Sequence, residues 1–235
     1  MHVTRAADGD QARRKAGSEA TALTVTTMSL LAAFAGLEHG IGEVLQGPIA
    51  PPAPVFRSWG DTPAFSPLNG EPALTLIPNL LVSGILAVTV SLCLALWSVL
   101  YVHRPHRASG LAVLAVVLLL VGGGFGPPVL AILAALLATR IGFRARRRPN
   151  RMMAALAALW PWPLVVLTAF FLALVPGTAL LYLVWRVDSL ALVAVLIVGA
   201  FSSVPLAWAS ARGRDLLMRS PGRDGFMGSA EPFDG

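Results

Sequence analysis

The chain has 235 residues, 56% of them hydrophobic and 13% charged, with a mean hydropathy of +0.71; soluble domains carry roughly 25% charged residues. A surface so poor in charge does not stay dispersed in water, so the composition excludes a soluble globular domain and points to an integral membrane protein. The net charge of +6 comes from arginines that flank apolar runs, Lys15 being the one lysine; that is how topology is written in membrane proteins, and no zinc, helix-turn-helix or RNA-binding pattern turns it into a nucleic-acid site.

Continuous apolar blocks such as "LAVLAVVLLLV" do not alternate, so the spans are helical rather than those of a β-barrel. Residues 1–20 are polar and are expected to form a disordered cytoplasmic tail. The first span covers about 21–46 and stops at Gly47-Pro48. Arg13–Lys15 ahead of an apolar stretch, with Ala33-Phe34-Ala35 before Gly36, also fits a secretory signal; the long charged leader, Glu19 and the apolar character beyond the cut argue against cleavage. Residues 47–72, rich in Pro and turn formers, read as an outer loop.

The second span covers about 73–102 and ends at the basic linker "HRPHR". Two short apolar arms follow, about 109–123 and 127–142, interrupted by "GGGFGPP". No helix runs unbroken through three glycines and two prolines. Arginines at both outer ends of this segment place both on the cytoplasmic side, so it crosses twice or dips in and returns. Arms of about 16 residues reach ~24 Å, barely a bilayer core, and the expectation is a short two-span hairpin, with a re-entrant loop as the alternative. A further span covers about 160–185, kinked near Pro176 and preceded by an interfacial stretch with Trp160 and Trp162 in the aromatic belt. The last covers about 190–210, followed by a second disordered tail, 211–235. The fold class is thus all-α, a polytopic bundle of six spans with both termini cytoplasmic in the plasma membrane; 16 of the 18 basic residues then lie inside, and only Arg57 and Arg186 outside.

Candidate chemistry concentrates in "FAGLEHGIGEVLQGP". On a helical wheel Ala32, Ala35, Glu38, His39, Gly42, Glu43 and Gln46 share one side, and Leu30, Phe34, Leu37, Ile41 and Val44 the other. The bulky side should face lipid and the small, ionisable side the protein interior. Glu38, His39 and Glu43 are the central candidates for a substrate- or proton-binding site, because charge inside a membrane needs a partner, a proton or water. His39 and Glu43, four residues apart, can meet on one face and are weak candidates for metal ligation. Asn79, Arg57, Arg186 and Asp188 belong to the same outer side and complete the candidate set, with the two arginines as expected partners of the carboxylates. The alternative is a purely structural polar cap. His103 and His106 read as headgroup contacts on the inner side.

The lone Cys93 excludes an intrachain disulfide and a cysteine-based metal cluster, and no hydrolase, metalloprotease or kinase motif is present. The functional expectation is a small proton-linked transporter or permease with an outer-side polar site, working as a homodimer; no cofactor is expected. The alternative is a non-catalytic accessory or assembly subunit whose proline-rich loop docks a membrane-protein partner. A membrane enzyme holding a metal or haem through His39 ranks last, since one histidine in the membrane region cannot supply a multi-histidine site.

Overall fold

A computed structural model describes residues 18–142 and 151–219. The expected tails, apart from Ser18–Ala20 and 211–219, and the whole of the basic stretch 143–150 lie outside the described residues. Eight helices are described: α1 (Glu19–Gln46), α2 (Leu80–Leu100), α3 (Arg107–Leu120), α4 (Gly126–Ala138), α5 (Arg151–Ala158), α6 (Trp162–Leu172), α7 (Thr178–Trp185) and α8 (Leu190–Arg219). Four segments are long and apolar enough to cross a membrane, namely α1, α2, the combined α6–α7 and most of α8. At 1.5 Å per residue even the 21-residue α2 reaches about 30 Å. The protein is therefore all-α and compatible with a multi-pass membrane protein, with α3 and α4 as two shorter apolar helices.

The helix α1 is the axis of the bundle. Its apolar window is 67% buried, against 33–39% for the other three long segments, whose outward faces are left for lipid. It packs on α2, α4, α6 and α8, and Val25, Met28 and Ala32 sit in a core shared with Leu94, Leu118, Leu130 and Leu167. The wheel division is seen in part: Leu30, Phe34 and Ile41 are exposed and Ala32, Ala35, His39, Gly42 and Glu43 are buried, while Leu37, Glu38, Val44 and Gln46 are all half-buried. Small residues let the neighbours come close. A Cβ added at Gly84 of α2 would stand 2.5 Å from the Gly40 carbonyl and 2.8 Å from the Val44 nitrogen, so these two backbones touch.

The bundle has a basic end and a loop end. At the basic end Asp215 of α8 accepts hydrogen bonds from the Ala20 and Thr21 amides, both at 3.0 Å, joining the first turn of α1 to the last helix. This contact explains why α8 runs on through Arg219 instead of stopping near 210: its extension covers the start of α1 and packs Gly213 against α5. At the same end Arg107 spans the feet of the α3–α4 hairpin, donating to the Ala138 carbonyl (2.9 Å) and the Ile141 carbonyl (2.6 Å). The break at Pro176 takes the form of a π-helical turn, Ala173–Gly177, which accommodates the donor that proline lacks.

At the loop end residues 47–79 are folded rather than loose. Strands β1 (Val55–Arg57) and β2 (Pro72–Leu74) form an antiparallel ribbon, with a 3₁₀ turn, Pro63–Leu68, between them. The second helix accordingly starts at Leu80 and not near 73: residues 72–75 are spent on the ribbon, and Asn79 caps the helix, accepting from the Val82 amide at 3.2 Å. The ribbon also grips the hairpin tip, where the Leu76 amide donates to the Leu120 carbonyl (3.0 Å) and the Gly122 amide to the Leu74 carbonyl (2.9 Å). The "GGGFGPP" break is thus brought to the same level as the end of α1.

Candidate functional site

The site forms where α1 emerges under the loop. Glu38 and His39 come from the helix. Glu71 comes from the ribbon, at the end of a turn in which Asn69, Gly70 and Glu71 all have positive φ (54°, 67° and 54°), a conformation uncommon outside glycine and asparagine. One ligand-capable atom from each of Glu38, His39 and Glu71 lies within 4.8 Å of the others. Nε2 of His39 stands 3.6 Å from Oε2 of Glu71. The other ring nitrogen, Nδ1, is 2.8 Å from the Ser58 hydroxyl. Ser58 is fixed opposite Glu71 because the ribbon pairing continues one step further, its amide donating to the Glu71 carbonyl at 3.0 Å, and its own carbonyl accepts from Gln46 at 2.7 Å. A single register therefore delivers both partners of the imidazole.

Trp59 closes the site. Its ring stacks on Phe65, with centroids 3.9 Å apart and planes 6° from parallel, and lies so close over Gly42 that a Cβ there would come within 2.9 Å of the indole. The indole N–H faces the Glu38 and Glu71 carboxyls without closing a hydrogen bond to either. Both Glu38 oxygens and Oε2 of Glu71 are likewise buried without a hydrogen-bond partner. Burial, reinforced by the Glu38 carboxyl beside it, pushes the Glu71 carboxyl well above the ordinary glutamate range.

Glu43 is one turn further along α1, fully buried, and also without a hydrogen bond. Its carboxyl faces the backbone of Gly122 in the hairpin tip, where any side chain would collide with it, while Gly124 lies in the same way against the His39 ring. His39 and Glu43 thus share a face but address different neighbours, the first the ribbon and the second the hairpin.

The chain matches no protein-family model, no curated protein and no solved structure.

The remaining sequence candidates sit elsewhere. Arg57 pairs with Asp61 at 3.0 Å on the exposed surface. Arg186 lies over the Tyr182 ring, 5.4 Å from its centroid, and Asp188 accepts from Ser66 at 3.1 Å. Asn79 is the α2 cap. Among the described residues no arginine forms an ion pair with Glu38, Glu43 or Glu71. The arginines expected to neutralise the cluster fail to reach it because Arg57 points away from the side of the ribbon that Phe56 and Ser58 bury. Sequence reasoning missed Glu71, Ser58 and Trp59. The one local signal was the pair of segments "VFRS" and "EPAL" flanking a turn-rich stretch, which an antiparallel register places with Ser58 opposite Glu71.

Proposed function

We propose that the protein is a small proton-linked permease of the plasma membrane whose outer-side site takes up a cation. The observation that carries this reading is the convergence of three carboxyl groups and one imidazole, buried and without an arginine partner, beneath a loop lid and beside a broken helical hairpin. Such a site has negative charge to offer and none of its own to cancel it, so a cation or a proton is the species it stabilises. Broken helices next to buried charge are how many carriers build a binding site. In this reading α3 and α4 complete six spans, both termini face the cytoplasm, and two copies associate, since six spans are few for a carrier acting alone.

Reconstituted vesicles test it. Wild-type protein is expected to pass protons, read with an internal pH-sensitive dye, when a cation gradient is imposed. Glu38→Gln and His39→Ala, purified as monodisperse species, are expected to lose that flux. Flux that is unchanged in both variants, or absent from the wild type, defeats the proposal. A second reading, an accessory subunit of a membrane complex, is favoured by one observation: the folded outer loop exposes Ile49, Val55 and Leu76, an apolar set suited to docking a partner. Co-purification of a stoichiometric membrane partner together with no flux would establish it.

A further inference from the structure

We infer that Glu38, His39 and Glu71 form a binding site for a borderline divalent metal cation, of the zinc or cobalt class. The distances fit. Donors held tetrahedrally at about 2.1 Å from a metal stand ~3.4 Å apart; Nε2 of His39 and Oε2 of Glu71 are 3.6 Å apart, and a Glu38 oxygen lies within the same 4.8 Å group.

Three further observations turn proximity into a site. The first is Glu71 itself, only 5% exposed, with Oε2 aimed at Nε2 and taking no hydrogen bond; a carboxyl oxygen removed from water and left without a donor needs a cation or a proton beside it. The second is the orientation of the imidazole. Ser58 occupies Nδ1 at 2.8 Å. We assign the ring proton to that nitrogen, donating to the Ser58 oxygen, which leaves the Nε2 lone pair facing the two carboxyls. A metal-bound histidine is held in this way by the partner of its other nitrogen. The third is charge: two carboxylates and a neutral imidazole balance a dication, and among the described residues no arginine competes for them.

The donor set narrows the ion. One nitrogen and two carboxylates suit borderline divalent metals. A calcium ion takes six to eight oxygens, more than these residues supply, and thiophilic ions lack sulfur donors here, Cys93 lying exposed on α2. Three protein ligands leave a coordination position for water. The inference goes beyond the transport reading, because an ion that only clasps the loop to α1 and an ion that is carried would be held by the same atoms.

Zinc and cobalt ions are the probes. Full-length protein, purified with a chelator and dialysed, is titrated with Zn²⁺ by calorimetry and with Co²⁺ by visible absorption. One ion per chain is expected, with intensified cobalt bands of a four- or five-coordinate nitrogen and oxygen site. His39→Ala and Glu71→Gln should each weaken binding by tenfold or more, and Ser58→Ala by about 10–100-fold. Asp61→Asn, on the exposed surface, should bind as the wild type does. Should a ligand variant fail to fold, the wild-type stoichiometry and spectrum decide alone. No stoichiometric uptake, the spectrum of the hydrated ion, or folded His39→Ala and Glu71→Gln proteins binding like wild type each overturn the site. The vesicle assay is read separately: binding without flux defeats only the permease reading, and flux without binding defeats only this one.

Discussion

Two carboxyl groups share a space that water does not reach, and that costs stability whenever both are charged. Glu71 shows the direction. Burial and the adjacent Glu38 raise it, so the folded protein holds its proton more tightly than the unfolded chain does. The sign follows from linkage. The stability is fully present below the ordinary value of 4.5 and is lost as pH climbs through the raised folded value. Metal-stripped wild-type protein should therefore lose thermal stability between pH 5 and pH 8. Glu71→Gln removes the charge and should flatten that slope, gaining about 1–2 kcal/mol at the upper pH. Thermal unfolding in detergent at both pH values is the measurement. A variant as steep as wild type, or one less stable at pH 8, would show that the carboxyl clasps the loop instead of straining it. A site that lowers stability in the absence of its ligand is what a binding role leads one to expect.

At the scale of elements, the meeting of α1 with α2 sets where Glu38, His39 and Glu43 end up, since these helices touch through Gly40 and Gly84 immediately beside the site. Added atoms have nowhere to go there, because what they meet is backbone and not the end of a flexible side chain. Gly84→Ala is expected to cost about 1–3 kcal/mol and to displace the end of α1 from the ribbon. Gly126→Ala, where a Cβ meets nothing within 4 Å, is the matched control and should be near neutral. The comparison is made on melting temperatures by fluorescence-detected gel filtration, and equal losses at both positions would refute the close contact. What the sequence disclosed follows the same division. The helices, the hairpin break and the ionisable side of α1 were legible, because each is written in local periodicity or in residues that cannot continue a helix. The ribbon was not, since its pairing joins Ser58 to Glu71 across twelve intervening positions of turn-rich chain and no local pattern states that register. With the ribbon went Glu71 and Trp59, and the arginines were assigned to the cluster in their place.

For the whole molecule, the distribution of charge implies an orientation. Arg104, Arg107, Arg140, Arg151, Arg212 and Arg214 belong to the end where α1 starts, and Arg57 and Arg186 to the end where the loop covers the site. Arginine excess marks the cytoplasmic side, so the ribbon, the hairpin tip and the carboxyl cluster should face outward. Intact cells can report this directly. In a Cys93→Ala background, which removes the one native thiol, Leu45→Cys places a thiol at a position 71% exposed beside the loop, and Arg104→Cys places one in the linker between α2 and α3. A membrane-impermeant maleimide added outside should label the first within minutes and reach the second only after the cells are opened. The hairpin sharpens the test. If α3 and α4 both cross, a thiol at exposed Phe125 in the tip should label from outside as Leu45→Cys does, whereas a hairpin that turns back within the bilayer would leave it protected. Labelling of Arg104→Cys in intact cells would invert the protein and place the cluster on the cytoplasmic side. In that case a site selective for cations would draw on the cytoplasmic pool, and uptake from outside could not begin there.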